Sequence, residues 1–435
     1  MHLLQRIVER STVRIRRLSN DRVEEARFGR WLNNAKVRLG EMERTIGEQM
    51  RARVAGLHVL ALQDTSELNY QAHAGRTRGL GTVGNGRDAG LFVHPVLAVE
   101  ADSGACLGLV GAQVYARHEA AARNYRDLPV ESKESMRWLR GALTAKRYLD
   151  TARHVTVVAD RESDIYEEWD RLPDEGFDLL TRACRDRALA GGGRLYAWSD
   201  GLPVAERFAL DLPERPGKRS ARTATLELRY GAVAVKRPRN GSDPGAAPTL
   251  TLRMVDVREV GAPAGEDPVH WRLLTTHQVE DTAKALEIVL WYRRRWTIEQ
   301  LFRTLKTQGL DIESSQIESA EALQRLAFVA LVAATHILQL LGVRDGVLVR
   351  PIQDIFSAEQ VSVLIALQPS LEGRTAARKN PHPPDTLAWA AWFIARLGGW
   401  DGYPKSKPAG PITFARGYTR FVTMCEGAAL RQKMC

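Results

Sequence analysis

The sequence lacks most of what would place it in a membrane, outside the cell or on a zinc scaffold. Its 435 residues include only four cysteines, Cys106, Cys184, Cys425 and Cys435. None has CxxC spacing or histidine partners in zinc-finger register. A disulfide-stapled scaffold is therefore excluded, and reduced, mostly buried thiols are expected. Arg and Glu interrupt the first seventeen residues, so no secretory signal peptide is predicted. The longest apolar run, 327–341, contains Thr335, His336 and Gln339 and is too short to span a bilayer. It reads as a buried core helix. Internal repeats and long low-complexity tracts are also missing. These absences predict a cytoplasmic protein with no membrane partner.

What is present is positive charge. The net charge is +10, and the sequence pI is near 9.6, which favours a polyanionic partner. Residues 1–56 hold thirteen Lys/Arg against seven Asp/Glu, and residues 213–240 hold eight against two, a net of +6 in each. Both are candidate phosphate-contacting surfaces; solvated charge is the alternative. The hydrophobic share of 44% is ordinary for a globular protein, and the length suggests two or three domains.

Residues 1–55 read as basic helices, with Ser19-Asn20-Asp21 as a break and cap. The apolar run 57–64 ends in Asp64, and 74–90 reads as a loop. Two apolar runs, 91–101 and 106–117, joined by Asp102-Ser103-Gly104, give a hairpin signal. A helix over 131–149 follows, then a buried strand over 154–160 ending in Asp160, a helix over 163–171 and a strand over 177–183. From 187 to 268, glycines and prolines punctuate short alternating stretches, which predicts a β-rich insertion. Residues 318–346 read as a buried helix, 381–384 as a linker, and 397–421 as loop-rich.

Residues 279–309 contain no Pro or Gly before Gly309 and read as one long helix. On it, Tyr292, Arg295, Glu299 and Lys306 share a sector roughly 60° wide. The adjoining sector carries Trp291, Ile298, Leu301, Phe302 and Leu305, a stripe suited to a core. One face should thus be buried while its neighbour presents a phenol, a guanidinium, a carboxylate and an ammonium. A solvated charged face is the ordinary alternative.

The spacing Y-x2-R-x3-E-x6-K resembles the signature of a large group of bacterial insertion-sequence transposases of the DDE type. Asp64 in QDTSELNY and Asp160 in ADRESDIYE resemble that family's first and second catalytic blocks. Taken alone, Asp64 could be a strand-terminating turn residue and Asp160 a helix N-cap. The resemblance extends from about Ser11 to Thr423. It implies an α/β (mixed α+β) fold, with an RNase H-like mixed sheet flanked by helices, a β-rich insertion and helical N- and C-terminal regions. The β-β-β-α-β-α-β order agrees with that sheet.

The resemblance further implies that Asp64, Asp160 and Glu299 are catalytic and hold Mg²⁺, with Mn²⁺ able to substitute. Two divalent ions held by carboxylates suit phosphodiester chemistry. Tyr292, Arg295 and Lys306 would grip phosphates near the scissile end. Trp271 would stack on a flipped-out base, or else be a half-buried strand aromatic. Arg182 would contact the DNA backbone, and Glu162 and Asp164 would orient the site.

The expected division is a basic helical DNA-binding region, apparently shortened, over 1–56, and the first part of the core over 57–186. The insertion follows over 187–270, then the second part of the core with the catalytic helix over 271–346, and a C-terminal region over 347–435, suited to dimerisation. The implied function is metal-dependent cleavage at transposon ends and strand transfer, cut-and-paste through a DNA hairpin. The implied partners are double-stranded DNA and a second copy of the chain in a synaptic homodimer. The implied location is the bacterial cytoplasm, at the nucleoid when DNA is bound. The rivals are an inactive or truncated DNA-binding relic that regulates transposition, and a nuclease without strand transfer.

Overall fold

The computed structural model describes residues 2–117, 128–214, 219–240, 242–307, 309–403 and 405–434; Cys435 lies outside them, and so do parts of the basic 213–240 stretch. In chain order the chain forms helices α1 (His2–Arg10), α2 (Ile15–Leu18), α3 (Arg22–Asn33) and α4 (Leu39–Val54). Strands β1 (His58–Gln63), β2 (Ser66–Asn69), β3 (Gly81–Thr82), β4 (Ala89–Glu100) and β5 (Cys106–Tyr115) follow. Next come α5 (Met136–Tyr148), β6 (His154–Ala159), α6 (Tyr166–Arg171), β7 (Phe177–Arg182) and α7 (Leu195–Asp200). Strands β8 (Glu206–Leu212), β9 (Arg222–Lys236), β10 (Thr249–Val260) and β11 (His270–Thr275) precede the last helices. These are α8 (Thr282–Arg294), α9 (Trp296–Lys306), α10 (Ala320–Val343), α11 (Ala358–Leu371), α12 (Leu387–Leu397) and α13 (Pro411–Met434). The fold is mixed α+β, as expected.

The chain divides into two compact units. One comprises Gly56–Asp64 and Ala121–Arg295; the other comprises Met1–Ala55, Thr65–Ala120 and Trp296–Cys435. The first unit is built on seven strands in the order β1-β6-β7-β11-β10-β9-β8. β1, β6 and β7 are parallel, and the rest continue antiparallel. The runs HVLALQ and HVTVVA are almost wholly buried, as suits parallel strands covered on both faces. The β-rich stretch from 187 to 270 supplies β8 to β10, which prolong this sheet through β11. It also contains α7, which the glycine-rich Gly191-Gly192-Gly193 in front of it hides from a sequence reading.

In the second unit, β4 pairs antiparallel with β2, β3 and β5. The β4–β5 turn falls at 102–104, as expected, with Gly104 at φ +82°. The two-residue β3 falls inside the 74–90 stretch expected to be a loop; it is too brief to show alternation. Helix α10 packs on β5, and its Gln339 Nε2 donates to the Leu107 carbonyl at 2.9 Å. By length and composition α10 could cross a bilayer, but 78% of its most apolar window is buried within the protein. It is a core helix. Arg325 on α10 donates to the carbonyls of Val37 (2.7 Å) and Leu32 (2.8 Å), tying the N-terminal helices to it. Asp21 caps α3 by accepting from Glu24 N.

Two expectations need correction. The stretch 279–309 is not one helix: α8 ends at Arg294, and α9 begins at Trp296. The stretch 397–421, read as loop-rich from its glycines and prolines, becomes helical at Pro411. A proline at the first helical position is well tolerated, since its missing N–H has no partner there anyway.

Candidate active site

Asp64 and Asp160 each follow a parallel strand, β1 and β6. The register pairs Leu62 with Val158, so both carboxylates stand two residues further along, side by side at the carboxyl ends. Neighbouring strands lie about 4.8 Å apart, so the two residues follow adjacent strand ends. Asp160 also accepts from Glu162 N at 2.9 Å, capping the 3-10 turn Arg161–Ser163. Both readings of this residue, capping and chemistry, remain compatible with its position. Asp64 Oδ2 accepts from Arg295 Nη1 at 2.8 Å, with both side chains largely buried.

Arg295 is the residue between α8 and α9. Its guanidinium carbon sits 5.9 Å from the ring centroid of Tyr292. Tyr292 is 4% exposed, so its phenol is enclosed rather than presented on an open face. Burial raises its pKa, while Arg295 and Arg182 nearby oppose the rise and Asp160 adds to it. Trp271 on β11 meets Tyr292 edge to face, with centroids 5.6 Å apart. Arg182, at the end of β7, donates from Nη2 to the His270 carbonyl at 2.7 Å. Eight of the ten residues singled out from the sequence therefore belong to this one unit: Asp64, Asp160, Glu162, Asp164, Arg182, Trp271, Tyr292 and Arg295.

Glu299 and Lys306 lie on α9, in the other unit. Glu299 occupies the first turn of α9 and is half-buried. Lys306, in the last turn, pairs with Glu313 at 3.7 Å. Of the expected apolar stripe, Trp291, Ile298, Leu301 and Leu305 are buried, whereas Phe302 is half-buried.

The two acidic residues after Asp160 have distinct partners. Glu162 pairs with Arg137 at 2.5 Å. Asp164 is fully buried: it accepts from the backbone N–H of Cys184 (2.7 Å) and Arg185 (2.9 Å) and forms an ion pair with Arg187. It thus fixes the chain leaving β7. Arg187 also stacks on Trp169 at 4.6 Å.

A cavity of about 220 Å³ beside this chain segment is lined by Arg161, Arg182, Cys184, Tyr196, His270 and Arg272. Arg161 and Arg272 are the immediate chain neighbours of Asp160 and Trp271, the one signal in the sequence that could have pointed to them. Asp200 accepts from Arg272 at 2.7 Å and so offsets part of the charge.

Residues 139–335 match the family described as the transposase DDE domain. The matched stretch contains Asp160, Arg182, Trp271, Tyr292, Arg295, Glu299 and Lys306; Asp64 precedes it. Among solved structures, a piggyBac transposase, seen by cryo-EM in a synaptic complex with hairpin DNA, aligns at 9% identity and a TM-score of 0.36. The alignment covers 72% of this chain and 55% of that one, so this chain matches only about half the length of that relative. Residues 139–335 make up a little under half of the chain, and it is this segment that is similar to the transposase DDE domain family.

Proposed function

We propose that the protein is an insertion-sequence transposase that cuts DNA at transposon ends and joins the freed ends to a target through a hairpin. The observation that carries this reading is the placement of Asp64 and Asp160 at adjacent parallel strand ends, with Arg295 on Asp64 and Tyr292 alongside. Two neighbouring carboxylates form an oxygen-donor set of the kind Mg²⁺ and Mn²⁺ accept. We assign Asp64, Asp160 and Glu299 as the catalytic, metal-holding set. The ions supply an activated oxygen nucleophile and relief of charge at phosphorus.

The remaining roles follow from side-chain chemistry. Arg295, held beside Asp64, would offer its fork to a phosphate oxygen pair. Lys306 and Arg182 add positive charge along the strand. Trp271, half-buried against Tyr292, presents a flat face for a base that leaves the stack when the DNA makes a tight turn. The basic helices of 1–56 grip the transposon end, and residues 347–435 contribute to pairing two protomers. The reaction takes place on DNA in the bacterial cytoplasm.

The test is cleavage of labelled DNA carrying the gene's own flanking sequence, with Mg²⁺, comparing the wild type with Asp64→Ala. Specific nicks or hairpins that vanish in the variant support the reading. Binding without cutting, even with Mn²⁺, replaces it with a DNA-binding regulator.

A further inference from the structure

The sheet that carries Asp64 and Asp160 gathers a second cluster at its other end. His58 opens β1 and is paired in register with His154, which opens β6. Side chains on a strand alternate between faces, so His58 and Asp64, and likewise His154 and Asp160, point to the same side. The two clusters are about 20 Å apart, six residues at the rise of a strand. Thr156 lies on that face too, opposite Asp178 of β7. His277, two residues past β11, completes the group.

One ring nitrogen from each of His58, His154 and His277 lies within 4.8 Å of one from each of the others. Asp178 Oδ2 is 3.0 Å from His154 Nε2 and 3.3 Å from His277 Nδ1. Thr156 Oγ1 sits between His58 Nε2 (2.8 Å) and His277 Nε2 (2.7 Å). Thr276 Oγ1 donates to the other oxygen of Asp178 at 2.6 Å. Trp291 of α8 packs edge-on against His58 with centroids 4.6 Å apart and tilted against His277 at 5.0 Å. The apolar lid is thus part of the same helix whose end bears Tyr292.

We infer that His58, His154, His277 and Asp178 form a binding site for one divalent first-row transition ion, zinc foremost, that staples the end of the sheet remote from the aspartate pair. Imidazole nitrogens suit zinc, nickel and copper, whereas magnesium takes oxygen. Four ligands at about 2.1 Å around a tetrahedral centre lie roughly 3.4 Å from one another. The two separations to Asp178 are already near that value. The widest ring-nitrogen separation, 4.8 Å, must close by about 1.4 Å, a side-chain adjustment.

The hydrogen bonds seen here hold the rings in place before an ion arrives. Thr156 and Thr276 then serve as outer partners that orient ligands, as hydroxyls and carboxylates do around metal-bound histidines. His154 and Asp178, with 28% and 19% of their side chains exposed, form the entry. Three histidines, with Asp178 against two of them and away from the aspartate pair, suit a structural role rather than a catalytic one. The inference does not depend on the transposase reading.

The experiment uses the full-length chain, stripped with EDTA, in an Asp64→Ala/Asp160→Ala background that removes the competing carboxylate pair. Co²⁺ titration should give the strong visible bands of tetrahedral cobalt at one equivalent, and Zn²⁺ should abolish them by displacement. Zn²⁺ should bind with a Kd below about 1 μM. It should also raise the melting temperature by several degrees, reversibly with EDTA. His154→Gln, at the exposed side, should weaken zinc binding at least about tenfold, the equivalent of 1.4 kcal/mol. Failure of cobalt and zinc to bind the stripped chain overturns the inference without recourse to any histidine variant. So does zinc binding that is unchanged in both His58→Gln and His154→Gln.

Discussion

Asp64 and Asp160 each stand two residues beyond the register pair Leu62–Val158, so two adjacent parallel strands deliver both carboxylates to one edge of the sheet. Arg295 Nη1 stands 2.8 Å from Asp64 Oδ2 beside them. This adjacency comes from strand pairing that no local sequence window contains.

If these carboxylates hold the catalytic ions, replacing either should remove chemistry and spare binding. Asp64→Ala and Asp160→Ala should each lower Mg²⁺-dependent cleavage by about a hundredfold or more, a barrier increase of roughly 3 kcal/mol. DNA affinity should stay within a few-fold, because it rests on Lys/Arg contacts to phosphate. Single-turnover cleavage and a gel-shift titration on the same preparation separate the two. Undiminished turnover in either variant would remove that residue from the site.

The buried pair Asp164–Arg187 makes a prediction about stability. Their side chains are 0% and 4% exposed. Removing one partner leaves a buried charge uncompensated, so Asp164→Ala should cost about 3–5 kcal/mol in urea unfolding. Replacing both at once, Asp164→Leu with Arg187→Met, should recover much of the loss. A double variant no better than the single one would show that the bonds to Cys184 N and Arg185 N, and not the ion pair, dominate.

Much of this arrangement is legible in the sequence, for identifiable reasons. The runs HVLALQ and HVTVVA are largely apolar and each is followed directly by an acid, so the strands and the aspartates after them stand out. The hairpin at 102–104 has its turn residues in place. What fails is what depends on partners elsewhere. The interruption at Arg295 is one residue long, at φ −53°, ψ −30°, and has no glycine or proline to announce it. Tyr292 reads as a surface phenol by helical spacing, yet it is enclosed by Trp271 from a distant strand. The cluster of His58, His154 and His277 is invisible in one dimension, since each histidine sits singly in its own stretch.

Trp271 distinguishes a hairpin-forming enzyme from a plain nuclease. Its edge-to-face contact with Tyr292 contributes on the order of 1 kcal/mol, so Trp271→Ala should fold. First-strand nicking should persist at near wild-type rate, while hairpin product and the double-strand break fall sharply. Denaturing gels of end-labelled substrate read both steps at once. Unchanged hairpin yield would make Trp271 a packing residue only.

Glu168 ties stability to pH. It lies on α6 at 2% exposure, and Ser163 Oγ donates to its Oε2 at 2.5 Å. Burial, reinforced by Asp164 and Glu167, pushes its carboxyl up to about 8. The folded chain therefore holds this proton more tightly than the unfolded chain, whose glutamate titrates near 4.3. The resulting stability is full below the unfolded value and is lost as pH rises through the folded one, at up to about 1.4 kcal/mol per pH unit. Glu168→Gln keeps the shape without the ionisation. At pH 5 the two proteins should unfold at similar urea concentrations. At pH 8.5 the Gln variant should be the more stable, by an amount on the order of a few kcal/mol. The difference between the curves cancels other titrating groups, His277 among them, whose depressed pKa of about 3 costs stability only on the acid side of its usual value. Parallel curves for the two proteins across this range would mean that Glu168 ionises in the fold as freely as it does outside it.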